Sequence, residues 1–198
     1  MQNNKQKEEY SPLFQLNNNT INIFGQIDTP MANSIISQIQ YLEWKLKKDN
    51  VPKEERIIYI QINSPGGSVS DGLAIYDAMN NADAIISTVA IGMAGSMGAV
   101  LLSAGTRGYR KATKHSEVLI HQPLGSASGQ ASDIFIAAGH IKRTKDKLNR
   151  ILSENTGKPY EQVEKDTDRD YIMSAEEALE YGLIDEIIPS PNKAKKVG

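Results

Sequence analysis

Apolar residues along this chain fall into short β-branched runs separated by longer stretches with helical spacing. The segment Thr20–Phe24 ("TINIF"), the segment 57–62 ("IIYIQI") and the segment 84–91 ("AIISTVAI") predict strands. Between these runs, apolar residues recur every three or four positions over 30–48 and again up to about residue 80, which predicts two amphipathic helices. Strands that alternate with helices favour an α/β fold.

The second half of the chain continues this alternation. The run 117–121 ("EVLIH") predicts a strand, and Ala131–Thr156 predicts a long helix that Gly157 ends. Gly139 lies inside that helix, where glycine lowers helix stability by about 1 kcal/mol relative to alanine. A glycine kept at this position indicates close packing or a bend there. Near the end of the chain, "SAEEALEYG" has the spacing of a capping box, with Ser174 as the N-cap residue, and a last short strand should follow.

Composition narrows the functional class. The 198 residues suit one domain with a sizeable core, and a net charge of −2 does not indicate a polyanion-binding protein. Because the chain has no cysteine, disulfides, thiolate metal sites and cysteine catalysis are excluded, and a reducing, cytoplasmic location is expected. We expect a polar arm at 1–18 without the apolar core of a secretory signal, one domain at 19–190, and a polar tail at 191–198. The uncharged stretch 84–106 is long enough to span a membrane, but its glycines, hydroxyl groups and β-branched residues favour a buried strand followed by a short helix.

Two residues are candidates for nucleophilic catalysis. Ser96 lies among small residues in "GMAGSMGAV", where it is either a small residue at a tight packing site or a nucleophile in a bend. The match to the G-x-S-x-G motif of serine hydrolases is imperfect, because Ala94 replaces its first glycine. His121 follows an apolar strand and precedes Pro123, so it is either a general base or a hydrogen-bonded core histidine. The other histidines, His115 and His140, are expected at the surface.

Two further segments contain groups that could take part in catalysis. The turn "NSPGGSV" at 63–69 can point backbone amides outward to stabilise an oxyanion, or it is an ordinary strand-to-helix turn. The acidic run "DTDRD" at 166–170 is either a solvated loop or the source of a carboxylate that orients a histidine. Its aspartates lack the spacing of a calcium loop, and no metal site is predicted.

Taken together, these segments resemble one family. "INSPGGS", "GMAGSMGAVLLSAG", "IHQPLG", "GQASD", "DTDRD" and "MSAEEALEYGLID" occur in the order and at the spacing of the ClpP family, the proteolytic subunits of ATP-dependent caseinolytic protease, over residues 57–188. The resemblance implies that Ser96 is the nucleophile, His121 the general base and Asp170 the carboxylate that orients it, with the backbone N–H groups of Gly67 and Met97 as oxyanion donors. The chain order Ser…His…Asp differs from the Ser…Asp…His order of α/β-hydrolases.

The resemblance also implies an assembly. It predicts a crotonase-like α/β fold with a protruding handle helix within the segment 122–156, and stacked rings of seven subunits that enclose a chamber. Asp168 and Arg169 match residues that pair across the ring interface, and Tyr59 and Gln61 match a cleft that docks an AAA+ ATPase. That partner would unfold protein substrates and use the ATP, so this chain would need no cofactor.

Several positions depart from the family pattern. The first 56 residues lack the usual apolar N-terminal segment, and 50–55 has the character of an insertion. Gln61 replaces a common aromatic residue, and Gly95 replaces the usual alanine before the nucleophile. These differences predict a divergent subunit that works in mixed rings with a second ClpP-type subunit. The alternatives are a non-catalytic ring subunit, a crotonase-type acyl-CoA enzyme, which would rely on paired carboxylates in a longer chain, and a membrane-bound peptidase.

Overall fold

A computed structural model describes residues 18–189. The predicted tail at 191–198 and all but the last residue of the predicted arm at 1–18 lie outside the described residues. Within the described part, the strands are β1 (Thr20–Phe24), β2 (Ile57–Ser64), β3 (Ile85–Gly95), β4 (Arg110–Thr113), β5 (Glu117–Ile120), β6 (Tyr171–Ser174) and β7 (Glu186–Ile188). The helices are α1 (Thr29–Lys48), α2 (Val69–Asn80), α3 (Met97–Ser103), α4 (Ala131–Thr156), α5 (Tyr160–Asp166) and α6 (Ala175–Tyr181), and a single 3₁₀ turn covers Lys53–Glu55.

The strands form one mixed sheet that divides along β3. Five strands run parallel in the order β1-β2-β3-β4-β7, and the middle of β3, Thr88 to Ala90, pairs with β4. The far end of β3, Met93 to Gly95, instead pairs in parallel with β5. β6 then joins β5 in the antiparallel direction. The end of β3 therefore lies beside the end of β5 and the start of β6, which is where the candidate residues are found.

The hydrophobic core lies between the sheet and the helices. Residues on alternate positions of β2 are buried, as are five residues along one side of α1. Every residue of α3 is buried. The uncharged stretch 84–106 is therefore a buried strand followed by a buried helix, as predicted, and among residues 18–189 no helix is long and apolar enough to cross a membrane.

The pattern of apolar residues predicted the long elements and missed three of the short ones. α1, α2, α3, α4 and the capping box of α6 are confirmed, with Glu177 Oε2 accepting from the Ser174 N–H at 2.8 Å and Ser174 Oγ accepting from the Glu177 N–H at 3.2 Å. β3 begins one residue later and ends four residues later than predicted, at Gly95. β4, β6 and α5 were not predicted, because four residues in each strand and seven mostly polar residues in the helix give no clear period.

The close packing predicted at Gly139 is wrong within this chain. A Cβ placed there would contact only a guanidinium nitrogen of Arg143 at 3.5 Å, four residues along the same helix. α4 is continuous through this position. Within this chain the partly buried glycine therefore makes no contact that a Cβ would obstruct.

Candidate active site

Ser96 occupies a strained bend between a strand and a helix. β3 ends at Gly95 and α3 begins at Met97, so Ser96 alone makes the connection, with φ of 54° and ψ of −118°. Such a positive φ on a residue other than glycine costs about 1–3 kcal/mol and marks functional sites more often than ordinary turns. The backbone is held on both sides, since the Ser96 N–H donates to the Leu119 carbonyl at 2.8 Å and its carbonyl accepts from the N–H of Ala99 at 3.0 Å.

The small residues around Ser96 permit a second turn to pack against this bend. A Cβ on Gly66 would lie 2.7 Å from the Ser96 Cβ and 2.8 Å from the Gly95 carbonyl oxygen. A Cβ on Gly95 would lie 3.0 Å from the Pro65 carbonyl oxygen. The backbone of the "NSPGGSV" turn therefore contacts the backbone of the Ser96 bend directly. This close approach explains the glycines on both segments, which the sequence alone left open between packing and catalysis.

Sheet register brings His121 and Asp170 together. Ile120, the last residue of β5, pairs with Tyr171, the first residue of β6. His121 follows one strand and Asp170 precedes the other, so the two residues occupy the next opposed position of the antiparallel pair. Their side chains meet there, with His121 Nδ1 3.2 Å from Asp170 Oδ1. The imidazole is mostly buried, whereas 69% of the Asp170 side chain is exposed.

Ser96 and His121 line one cavity. Its remaining walls are apolar and come from α2, α3, α4, the end of β5 and the segment after it: Val69, Met97, Val100, Ile120, Pro123, Leu148 and Leu152. A hydroxyl and an imidazole that face the same apolar space, with a carboxylate behind the imidazole, form the donor and acceptor set that nucleophilic catalysis by serine requires.

Two backbone N–H groups were predicted to be oxyanion donors, and of these two residues Met97 lines the cavity. Gly67 follows the turn with φ of 153°, and a Cβ there would lie within 2.9 Å of three Ile27 backbone atoms, the nearest being the carbonyl oxygen. The hydrogen bonds at this contact run from the Ile27 N–H to the Gly66 carbonyl and from the Ser68 N–H to the Ile27 carbonyl, and they do not use the Gly67 N–H. Met97 is the first residue of α3, so its N–H has no acceptor within the helix.

The loop before β6 is tied to α4 and to the residue after His121. The Gln122 N–H donates to the Thr167 carbonyl at 2.6 Å, and its side-chain amide donates to the Asp168 carbonyl at 2.8 Å. The buried Thr167 hydroxyl donates to Asn149 Oδ1 at 3.0 Å. The sequence analysis missed these three positioning residues. The adjacency of Gln122 to His121 was the one available signal, because the contacts to Thr167 and Asn149 are long-range.

The residues predicted for interfaces are exposed to differing degrees. The Arg169 side chain is 92% exposed and Asp168 lies beside it, 3.9 Å from Lys145 Nζ. Tyr59 is exposed and Gln61 partly buried on the outward face of β2, next to the edge strand β1.

As predicted, His115 and His140 are at the surface. Within residues 18–189, no group of three or more histidine, aspartate or glutamate side chains is arranged to hold a metal ion.

A buried ion pair fixes β4 to the segment before β7. Asp185 Oδ1 contacts Arg110 Nη2 at 2.5 Å, and Asp185 Oδ2 accepts from Arg110 Nε at 2.9 Å and from the Gly108 N–H at 2.7 Å. Burial by itself would raise the pKa of Asp185, but the hydrogen bonds from Arg110 and Gly108 outweigh it and hold the pKa below the usual range. This pair is structural and lies away from the Ser96 cavity.

A comparison with protein-family models matches residues 2–191 to the Clp protease family. The match begins well before residue 57, so it also covers the first 56 residues, where the sequence motifs alone indicated a poor fit. It includes all the described residues, and the mixed, largely parallel sheet agrees with the predicted α/β class. The chain therefore belongs to the Clp protease family.

Proposed function

We propose that this chain is the serine endopeptidase subunit of an ATP-dependent protein-degradation machine. The observation that carries the proposal is the site itself: Ser96 at a strained bend and His121 line one cavity, and the His121 Nδ1 lies 3.2 Å from Asp170 Oδ1. Family membership supports a peptidase activity. Within that activity, the side chains present favour a serine nucleophile, since the chain has no cysteine.

The mechanism is acyl transfer. Nε2 of His121 takes the proton of the Ser96 hydroxyl as its oxygen attacks a peptide carbonyl, and Asp170 holds the imidazole through Nδ1 and stabilises the imidazolium. The N–H groups of Gly67 and Met97 donate to the developing oxyanion, each worth about 3–4 kcal/mol. His121 then protonates the leaving amine, and water hydrolyses the ester on Ser96 with His121 again as the base.

The proposal includes an assembly of two stacked heptameric rings around a chamber. Its support is the exposed apolar surface of the segment 122–156, where Phe135 is 78% and Ile136 69% exposed, Ile134 next to them in the chain is exposed, and Leu124 is exposed in the same segment. A cluster of this kind is rare on a monomer and marks an interface. In this assembly α4 is the handle between rings, and Asp168 and Arg169 pair across the interface.

The partner of the assembly is an AAA+ ATPase that unfolds protein substrates, uses the ATP and docks near Tyr59 and Gln61.

The second candidate function is a subunit that is weakly active or non-catalytic until it joins a ring with a second ClpP-type subunit. The exposure of the Asp170 carboxylate favours this candidate, because an exposed carboxylate orients a histidine weakly.

A fluorophosphonate probe tests the nucleophile. We expect the wild-type chain to be labelled, Ser96→Ala to lose labelling, and Ser37→Ala, a surface change on α1, to keep it. Native mass measured on the same samples gives the ring state. Labelling that persists in Ser96→Ala would refute the mechanism. Labelling that occurs only after a second ClpP-type subunit is added would favour the second candidate.

A further inference from the structure

One aromatic side chain contacts both ends of the loop that carries Asp170. Tyr181 is the last residue of α6, and only 7% of it is exposed. Its hydroxyl donates to Asp166 Oδ2 at 2.9 Å, and Asp166 is the last residue of α5. Its ring packs edge-on against the ring of Tyr171, the first residue of β6, with the ring centroids 5.9 Å apart. The loop 167–170 therefore runs from one contact of Tyr181 to the other.

The contact between Tyr181 and Asp166 is held on both sides. Burial and the hydrogen bond to the Asp166 carboxylate raise the pKa of Tyr181 above the usual value for tyrosine, so the hydroxyl is a donor at neutral pH. The side-chain amide of Gln162, one turn earlier in α5, donates to Oδ1 at 2.8 Å and to Oδ2 at 2.9 Å of the same carboxylate. Lys158 Nζ lies 5.4 Å from the centroid of the Tyr181 ring, a cation–π contact that holds the ring itself. The end of α5 is thereby fixed to the end of α6.

The ring contact acts on the residue next to Asp170. Tyr171 pairs with Ile120 in the antiparallel ladder between β6 and β5. The residues that follow this pair, Asp170 before one strand and His121 after the other, meet through the 3.2 Å contact between Oδ1 and Nδ1. A shift of Tyr171 would therefore move the carboxylate relative to the imidazole.

We propose that Tyr181 is a positioning residue that fixes both ends of the loop 167–170 and so holds the Asp170 carboxylate against His121. This inference rests on the proposed endopeptidase function and adds to it a residue that touches neither the substrate nor the reacting groups. The hydrogen bonds of Gln122 reach only the first half of the loop, at the carbonyls of 167 and 168. The contacts of Tyr181 add the residue before the loop and the residue after it.

Four substitutions separate the hydroxyl from the ring. In the assembled protein, we expect Tyr181→Phe and Asp166→Leu, which remove the donor and the acceptor, to lower kcat for a fluorogenic peptide about tenfold with little change in KM. Asp166→Asn should keep most of the wild-type kcat, because an amide oxygen also accepts from a hydroxyl. Tyr181→Leu, which removes the ring contact as well, should lower kcat about 100-fold.

Two control variants separate positioning from other effects. Tyr41→Phe removes an exposed tyrosine hydroxyl from α1 and keeps a ring that packs on Trp44, so it should keep the wild-type kcat. Asp185→Asn breaks a buried ion pair away from the Ser96 cavity and costs more stability than one lost hydrogen bond. It should also keep kcat at a temperature where the protein is folded. Native mass measured on each sample shows that variants are compared in the same ring state.

A double-mutant cycle tests whether Tyr181 acts through Asp170. In the Asp170→Asn background, Tyr181→Phe should lower kcat by less than about twofold, because the carboxylate that it positions is already gone. The same tenfold loss in both backgrounds would overturn the proposal, and so would a wild-type kcat for Tyr181→Phe.

Amide hydrogen exchange on the full chain gives a readout that needs no turnover. Tyr181→Phe should speed exchange over 167–171 relative to both the wild type and Tyr41→Phe, because the loop opens more easily once one end is released. Unchanged exchange there would overturn the proposal and leave the protease standing. Faster exchange in a protein whose wild type shows no Ser96-dependent hydrolysis would support the role of Tyr181 in holding the loop and refute the proposed function.

Discussion

Replacing Gly66 with alanine should disturb the nucleophile specifically. Gly66 has φ of 102°, and the new Cβ would lie 2.7 Å from the Ser96 Cβ and 2.8 Å from the Gly95 carbonyl oxygen. The backbone conformation costs about 1–2 kcal/mol for an L-residue, and the overpacking adds about 1–3 kcal/mol. Because the clash is with the Ser96 bend itself, relief requires Ser96 to move, and a displacement of about 1 Å can lower the rate about 100-fold.

Gly108→Ala is the matched control for this experiment. Gly108 has φ of 88°, but a Cβ there would meet nothing within 4 Å, so this variant isolates the backbone cost. We expect Gly108→Ala to lower the unfolding midpoint by about 2–8 °C and to keep peptide hydrolysis. Gly66→Ala should lower the midpoint further and lose most hydrolysis in the same assay. Equal midpoints and equal activity for the two variants would show that the two turns are not in close contact.

Three further changes test the site and the fold. In the assembled protein, Asp170→Asn should reduce peptide hydrolysis about 10³–10⁴-fold, because the carboxylate holds the His121 tautomer. In the separate subunit it should change the free energy of unfolding by less than about 0.5 kcal/mol, because Asp170 is exposed there. Retention of most activity by the assembled variant in a kinetic assay would contradict this role. Asp185→Asn should lower the free energy of unfolding by about 3 kcal/mol in urea, since it leaves Arg110 buried without its anion. The pKa of Asp185 is depressed in the folded protein, so its contribution is complete above about pH 4 and is lost as the pH falls through the folded pKa. A difference between wild type and variant that does not shrink at all as the pH is lowered from about 4 until the proteins unfold would refute this account. Ser174→Ala should cost about 1 kcal/mol in the same denaturation experiment, because it removes the capping box of α6, and an unchanged midpoint would contradict that.

Local signals in the sequence account for most of the predicted fold. β-branched runs predicted β1, β2 and β3, and apolar spacing predicted α1 and, with Gly157 as its stop, α4, because these signals lie within a few residues along the chain. β6 has only four residues, and its pairing with β5 spans more than 50 positions. No local period marks such a strand, although its first residue determines where Asp170 lies.

The candidate site was likewise only partly predictable from the sequence. The small residues around Ser96 indicated a bend, but only the contact of Gly66 with Ser96 distinguishes a packed pair of turns from filler. The family resemblance assigned roles to His121 and Asp170, whereas the register of β5 and β6 supplies the physical reason that they meet. The supports at Asn149 and Thr167 could not be predicted, since an asparagine within a charged helix is usually solvated.

The position of α4 gives a physical reason for the proposed link between assembly and catalysis. One end of this helix carries the exposed Phe135 and Ile136, and the other end places Leu148 in the Ser96 cavity. Next to Leu148, Asn149 accepts from Thr167, which starts the loop that carries Asp170. The contact between His121 and Asp170 is 3.2 Å long, longer than a strong charge-assisted hydrogen bond, and water competes for the exposed carboxylate. Covering the apolar end of α4 and the exposed loop with a neighbouring subunit would remove that competition, so the weakest contact of the site is the one that assembly would strengthen most.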